Sequence, residues 1–251
     1  MAERKPLIAG NWKMHKTGSE AKKLIEDLKG KIAGVKDVEV AVAPPFTALA
    51  AAAEALQGSG IALAAQNLHW EDQGAFTGEV SAAMLREAGC RYVIVGHSER
   101  RQFFGESDES VNRKIKAALK HGLIPIVCIG ETLAEREGGK VQDVIERQIR
   151  KGLEGLQAEV DLVVAYEPVW AIGTGKTATP DQAEEVHSLI RGLIRQMLGP
   201  DFSARTRILY GGSVKADNVK SLMAKPDIDG ALVGGAALKA DSFSAIVRFR
   251  D

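Results

Sequence analysis

The sequence of 251 residues predicts an α/β protein, a single (β/α)8 barrel with parallel strands that takes in residues 1–251 as one domain. Three observations carry that prediction. Short apolar runs recur eight times along the chain. Most hold few internal charges, which marks strands covered on both faces, as in a parallel sheet. Between them lie segments with helical periodicity, and alternation of strand with helix imposes parallel pairing through right-handed crossovers. Eight such units in about 250 residues is the arithmetic of a closed barrel. The alternative architecture is an open doubly wound sheet.

The runs span 7–10, 38–43, 61–65, 92–96, 124–129, 162–166, 208–210 and 231–233. The first helix, 19–29, follows a Thr17-x-x-Glu20 capping box. Segments 107–120 and 141–152 read as amphipathic helices. Helix 181–198 has the clearest stripe, with Ala183, Val186, Leu189, Ile190, Leu193, Ile194, Met197 and Leu198 on one face. Thr179 is its N-cap, Pro180 its first residue and Gln182 stands three after the cap.

Composition narrows the function. Lys+Arg and Asp+Glu are both 33, so the formal charge is zero, and nucleic acid or an anionic membrane is not expected as a partner. An anion would need a local site. Two cysteines, Cys90 and Cys128, have no metal-like spacing and suggest a reducing compartment. The start, MAERKPLIAG, lacks the long apolar stretch of a secretory leader, and no run approaches a membrane span. No metal cluster or dinucleotide fingerprint is visible, so no cofactor and no metal are expected.

In such a barrel the site is built at the C-terminal ends of the strands. The residues just after each run are therefore the candidates. The first run leads to Asn11 and Lys13, two apart and so on one side of an extended chain, with the Lys able to stand over an anion. The fourth leads to His97, a side chain that changes charge near neutrality. His15, His69, His121 and His187 have no such placement. The sixth leads to Glu167, held by Pro168; in an apolar site its pKa is expected to rise, which suits a general base. Taken singly, each has a bland alternative: a solvated Lys, a structural His, an ion-paired Glu.

The segment after Glu167 ends Gly173-Thr174-Gly175-Lys176-Thr177, but a P-loop requires glycine at the place of Trp170. It reads better as a hinged lid, 168–176, with apolar residues able to cover a ligand. Gly211-Gly212-Ser213 and Gly234-Gly235 follow the last two strands, where barrels often bind phosphate through backbone N–H groups. The connection 67–80 is long and aperiodic, and its Trp70 and Phe76 argue for docking.

In this order and spacing, Ala9-Gly10-Asn11-Trp12-Lys13-Met14, Val95-Gly96-His97-Ser98-Glu99-Arg100-Arg101, Ala165-Tyr166-Glu167-Pro168-Val169-Trp170-Ala171-Ile172-Gly173-Thr174-Gly175-Lys176, Tyr210-Gly211-Gly212-Ser213-Val214 and Gly234-Gly235-Ala236 resemble the triosephosphate isomerase family over nearly the whole chain. The resemblance implies a TIM barrel enzyme of glycolysis and gluconeogenesis in the cytoplasm. It would interconvert D-glyceraldehyde 3-phosphate and dihydroxyacetone phosphate by proton transfer through an enediolate, without a cofactor. It implies Glu167 as the base, His97 as a neutral electrophile, Lys13 as a stabiliser of negative charge and Asn11 as an orienting group. Glu99 would hold Lys13. The N–H groups of Gly173, Ser213, Gly234 and Gly235 would clasp the phosphate. Segment 67–80 would insert into a second copy, with Thr77 reaching its site, which implies a homodimer. One departure stands out. The family often has Ser where this chain has Ala237, and losing a capping hydroxyl costs about 0.5–2 kcal/mol where the Ser caps a helix.

Two other functions fit parts of the pattern. A different barrel enzyme could use the same phosphate clasp, and a phosphometabolite binder could use it without chemistry. A binder needs no base, and Glu167, His97 and Lys13 at three strand ends argue against it.

Overall fold

Buried parallel strands need partners on both sides, and closing the sheet gives every strand two. In the computed structural model, which describes residues 4–172 and 177–251, β1 to β8 form a closed barrel in sequence order. The strands are β1 Leu7–Asn11, β2 Glu39–Ala43, β3 Ala62–Ala65, β4 Tyr92–Val95, β5 Ile124–Ile129, β6 Val163–Tyr166, β7 Arg207–Tyr210 and β8 Gly230–Val233. All neighbours are parallel, and β1 closes onto β8 with Leu7 opposite Gly230. The eight apolar runs thus become eight strands, with each end displaced by no more than one residue. The open doubly wound sheet is excluded by the closure.

Alternation along the strands divides the core into two layers. Leu7, Ala9, Ala41, Ala43, Ala64, Tyr92, Ile94 and their neighbours fill the barrel interior. Ile8, Val40, Val42, Val93, Val95 and the rest point outward and pack under the helices. Small alanines on some strands leave room for the Tyr92 ring inside.

The helices are α1 Gly18–Lys31, α2 Leu49–Ala55, α3 Ala82–Glu87, α4 Ser98–Phe104, α5 Asp108–Lys120, α6 Leu133–Glu137, α7 Val141–Gly152, α8 Pro180–Leu198, α9 Pro200–Arg205, α10 Val219–Met223 and α11 Ala240–Val247. The expected caps are present. Glu20 accepts from the Thr17 N–H at 2.8 Å, and Thr179 Oγ1 accepts from the Gln182 N–H at 3.2 Å. Position 237 does not cap α11. Ala237 lies in a short 3-10 turn, Gly235–Leu238, and Lys239 is the N-cap of α11.

The two rims of the barrel differ. At the N-terminal rim, Glu39 is surrounded by Tyr92, Arg207 and Arg91, at 2.6, 2.6 and 2.8 Å. Asp229 accepts from Arg4 and Arg191, each at 2.6 Å. The C-terminal rim holds a cavity.

Candidate active site

That cavity is about 320 Å³. Asn11, Lys13, His97, Glu167, Ser213, Gly234 and Gly235 all line it. The residues expected from the strand ends are therefore brought together, except Gly173, which lies outside the described residues together with 174–176 of the expected lid.

Glu167 directly follows β6. Its backbone prolongs the sheet, with the Glu167 N–H donating to the Ile129 carbonyl at 2.7 Å. The side chain is 2% exposed. Oε1 accepts from His97 Nε2 at 2.9 Å, and Oε2 accepts from the Ser98 N–H at 3.0 Å. Gly211 makes room for it: a Cβ there would stand 2.8 Å from Glu167 Cγ.

His97 follows β4 and caps α4. Its Nδ1 accepts from the Glu99 N–H at 3.2 Å. A nitrogen that accepts carries a lone pair, so the ring proton sits on Nε2, the atom facing Glu167.

Burial pushes the Glu167 carboxyl up, as its apolar setting led us to expect. The His97 ring, by charge and hydrogen bond, the Ser98 N–H and Lys13 outweigh it, and the net direction is down. The expectation of a raised pKa is corrected here, because the sequence could not place three stabilising groups around one carboxylate. Burial pushes His97 down, and the Glu167 charge beside it more than reverses that, so in this contact the imidazole is held above its usual range.

Lys13 reaches the cavity by a route the extended-chain argument did not foresee. β1 ends at Asn11, and Lys13 sits in the left-handed region with φ 52°. Such a conformation costs a non-glycine residue about 1–3 kcal/mol and must be held by its surroundings. Asn11 Oδ1 accepts from the Lys13 N–H at 3.0 Å, Gln66 donates to the Lys13 carbonyl at 2.9 Å, and Lys13 Nζ meets Glu99 Oε1 at 2.5 Å.

Several residues that complete the site were not singled out in the sequence. Gln66 and Glu131 each stand just past a strand, β3 and β5, where the same rule applied to those strands finds them. Glu131 is fully buried and accepts from Tyr166 Oη at 3.1 Å and Trp170 Nε1 at 2.8 Å, which ties β6 to the first part of the expected lid. Ile172 lines the cavity. Ser98 contributes only its backbone N–H, which no side-chain pattern reveals.

In segment 67–80, His69 stacks on Trp70 with centroids 4.4 Å apart, and Arg113 lies 4.3 Å over the Trp70 ring. Trp70 is thus docked on its own chain, and Phe76, with its ring centroid 4.3 Å from that of His69, is still 43% exposed. Among the described residues no group of three or more His, Cys, Asp or Glu is placed to hold a metal ion. Likewise, no helix is long and apolar enough to cross a membrane.

A carboxylate, an imidazole donor and an ammonium around one cavity, with glycine pairs at its wall, can remove a proton from carbon and stabilise the resulting oxyanion. Comparison with known proteins places the whole chain in a family. The family model described as triosephosphate isomerase matches residues 6–250. The chain is 60% identical over 250 residues to triosephosphate isomerase of Citrifermentans bemidjiense, covering 99% of this chain and 100% of that protein. It is 60% identical over 247 residues to that of Carboxydothermus hydrogenoformans, covering 98% of each. The crystal structure of triosephosphate isomerase from Bartonella henselae superposes with a TM-score of 0.90 at 42% identity, covering 98% of this chain and 99% of that one. Barrel and full-length similarity agree, and the chain belongs to the triosephosphate isomerase family.

Proposed function

We propose that Glu167 is the base, His97 the proton donor to oxygen and Lys13 the fixed positive charge in the interconversion of D-glyceraldehyde 3-phosphate and dihydroxyacetone phosphate, the reaction of the family to which the chain belongs. The observation that carries this reading is the 2.9 Å contact between Glu167 and His97 in a cavity also lined by Lys13 and Gly234-Gly235.

The substrate phosphate binds at the N–H groups of Gly173, Ser213, Gly234 and Gly235, and Asn11 orients the carbon skeleton. Glu167 leaves His97 and takes the proton from the carbon next to the carbonyl. Negative charge develops on the oxygens, where Lys13 and the Nε2–H of His97 meet it. Glu167 then returns the proton to the neighbouring carbon. Once Glu167 has turned away, the main upward influence on His97 is gone. Burial, Lys13 and the Glu99 N–H at Nδ1 then favour the neutral ring, with the Glu99 carboxylate opposing. A neutral imidazole gives up its Nε2 proton only to a strongly basic oxygen, which matches an enediolate. The imidazolate so formed takes the proton of the neighbouring hydroxyl, so the proton passes from one oxygen to the other and His97 is restored. Segment 168–176 acts as the lid that excludes water while this intermediate exists.

The same reading makes the protein a homodimer joined through 67–80, with Thr77 reaching the partner's site, and a cytoplasmic enzyme of glycolysis and gluconeogenesis. Support for the dimer is the apolar exposure on this rim: Met14, beside Lys13, is 93% exposed and Phe76 43%.

The test is exchange of solvent hydrogen into the carbon next to the carbonyl of dihydroxyacetone phosphate. Glu167→Asp withdraws the carboxylate by one methylene and is expected to lower both exchange and kcat on the order of 100-fold while KM changes far less. Undiminished exchange in that variant would remove Glu167 from its role.

A further inference from the structure

The end of β5 has an open edge, and its closure points to a residue outside the site. β5 pairs with β4 only as far as Val95 opposite Val127, because the chain then turns through His97 into α4. On its other side β5 continues along β6 and beyond. Ile129 lies opposite Tyr166, the Glu167 N–H donates to Ile129, and the Val169 N–H donates to the Glu131 carbonyl at 3.1 Å. In a parallel ladder, alternate residues bond to opposite neighbours. With 129 and 131 bonded toward β6, the N–H and C=O of Gly130 face the side where β4 has ended.

Gln148 of α7 fills that place. Its Oε1 accepts from the Gly130 N–H at 2.8 Å, and its Nε2 donates to the Gly130 carbonyl at 3.2 Å. The amide is buried, 5% exposed, on a helix otherwise anchored by apolar residues. One side chain thus supplies both bonds that a neighbouring strand would have made. Just before it along the same edge, Arg101 donates to the Cys128 carbonyl at 3.3 Å.

What Gln148 holds is the backbone that holds Glu167. Gly130 is pressed against Glu167 so closely that a Cβ at 130 would come within 1.7 Å of the Glu167 carbonyl oxygen. The next residue, Glu131, accepts from Trp170 at the start of the lid. A separate cavity of about 750 Å³ lies behind this contact, lined by Gln148, Gly130, Glu167, Val169, Trp170 and Ile172. Segment 130–131 therefore has space on one side and Glu167 on the other, and the Gln148 amide bridges that space to it. We propose that Gln148 is a positioning residue: acting through Gly130 and Glu131, it fixes the backbone of the base and the hinge of the lid. The inference rests on Glu167 being the base. Glu167→Asp tests that premise alone, so the two can fail separately.

Two variants of the full-length protein decide it. Gln148→Leu keeps the bulk and removes both bonds. Gln148→Glu keeps the acceptor for the Gly130 N–H but, when ionised, turns a negative oxygen toward the Gly130 carbonyl. Protonation puts an O–H donor where the amide N–H stood. Each is assayed for kcat, KM and the fraction of enediolate that loses phosphate. In that loss the C–O bond to phosphate breaks with its electron pair leaving on phosphate, and the enol left behind tautomerises to methylglyoxal.

Gln148→Leu is expected to lower kcat about tenfold or more with KM within about twofold, since small displacements of a reacting group cost that much. The fraction released as methylglyoxal and inorganic phosphate rises with it. For Gln148→Glu the ratio of variant to wild-type kcat rises as pH falls from about 8 to about 5, because burial beside the Gly130 carbonyl raises the new carboxyl's titration into that range. Should Gln148→Leu fail to fold, the pH dependence of Gln148→Glu decides alone. A kcat within twofold of wild type in both variants overturns the proposal. So does a loss of kcat with no pH-dependent recovery and no added phosphate loss, which marks a purely structural side chain.

Discussion

Asp229 and Glu167 are both buried carboxylates at ends of barrel strands, and their surroundings could hardly differ more. Asp229, before β8, is held by the Arg4 guanidinium at 2.6 Å, the Arg191 guanidinium at 2.6 Å and the Ile208 N–H at 2.9 Å. Glu167, after β6, has one imidazole N–H at 2.9 Å and one backbone N–H at 3.0 Å. Two permanent cations fix a carboxylate for good. An imidazole, one amide and the Lys13 charge keep it ionised and buried, yet leave it free to exchange its two hydrogen bonds for a substrate C–H. A base has to be stabilised by groups it can leave.

Strain and exposure follow the same division. Lys13, the non-glycine residue in the left-handed region nearest the cavity, lies at the Glu167 rim, as does the highly exposed Met14. The opposite rim satisfies its charges within one chain, with Tyr92, Arg91 and Arg207 around Glu39 and an arginine pair around Asp229. One rim is built to last and the other to react.

Removing the tightly held carboxylate should therefore cost stability without touching chemistry. Asp229→Ala leaves two arginines and the Ile208 N–H without their shared acceptor. Breaking a buried ion pair from one side costs about 3–5 kcal/mol. Denaturant unfolding should show a loss of that size, while kcat of the folded fraction stays within twofold of wild type. A comparable fall in kcat would mean that the two rims are mechanically coupled and would break the division.

The next effect tests whether the reactive rim is complete in one chain. Phe76→Glu places a charge on the exposed tip of 67–80. In the homodimer reading it shifts sedimentation toward the monomer and, by withdrawing Thr77 from the partner's site, lowers kcat about 100-fold, equivalent to roughly 2.7 kcal/mol. A monomer of undiminished activity would show that the site is complete in one chain.

These contrasts also explain what the sequence made legible. Strands buried on both faces read as continuous apolar runs, so all eight were placed to within a residue. The rule of reading just past each run found Asn11, Lys13, His97, Glu167 and the glycine pairs. The short helices α2, α3, α4, α6, α9 and α10 were not individually foreseen, because too few turns exist for a 3.6-residue period to stand out. Gln148 was invisible for another reason: on an amphipathic helix a Gln reads as surface, and its partner Gly130 is joined to it only by the fold. The pKa of Glu167 was misjudged because burial is visible in sequence and the compensating N–H groups are not.

The smallest expected effect concerns the departure at Ala237. If that position capped α11, Ala237→Ser would restore a hydroxyl worth about 0.5–2 kcal/mol. An N-cap side chain must reach the N–H groups of the second or third helical residue, and here the cap position belongs to Lys239, directly before Ala240. Ala237 sits inside the preceding 3-10 turn, 1% exposed, its N–H already donated to the Gly234 carbonyl at 2.8 Å. A serine hydroxyl there has only a carbonyl three or four residues back as a natural partner. Stability measured by denaturant should show no gain, since burying the hydroxyl costs about 1–3 kcal/mol unless that one bond offsets it. A gain of a full cap's worth would mean that α11 begins earlier than Ala240 and that the rim carrying the phosphate loops is less settled than its opposite.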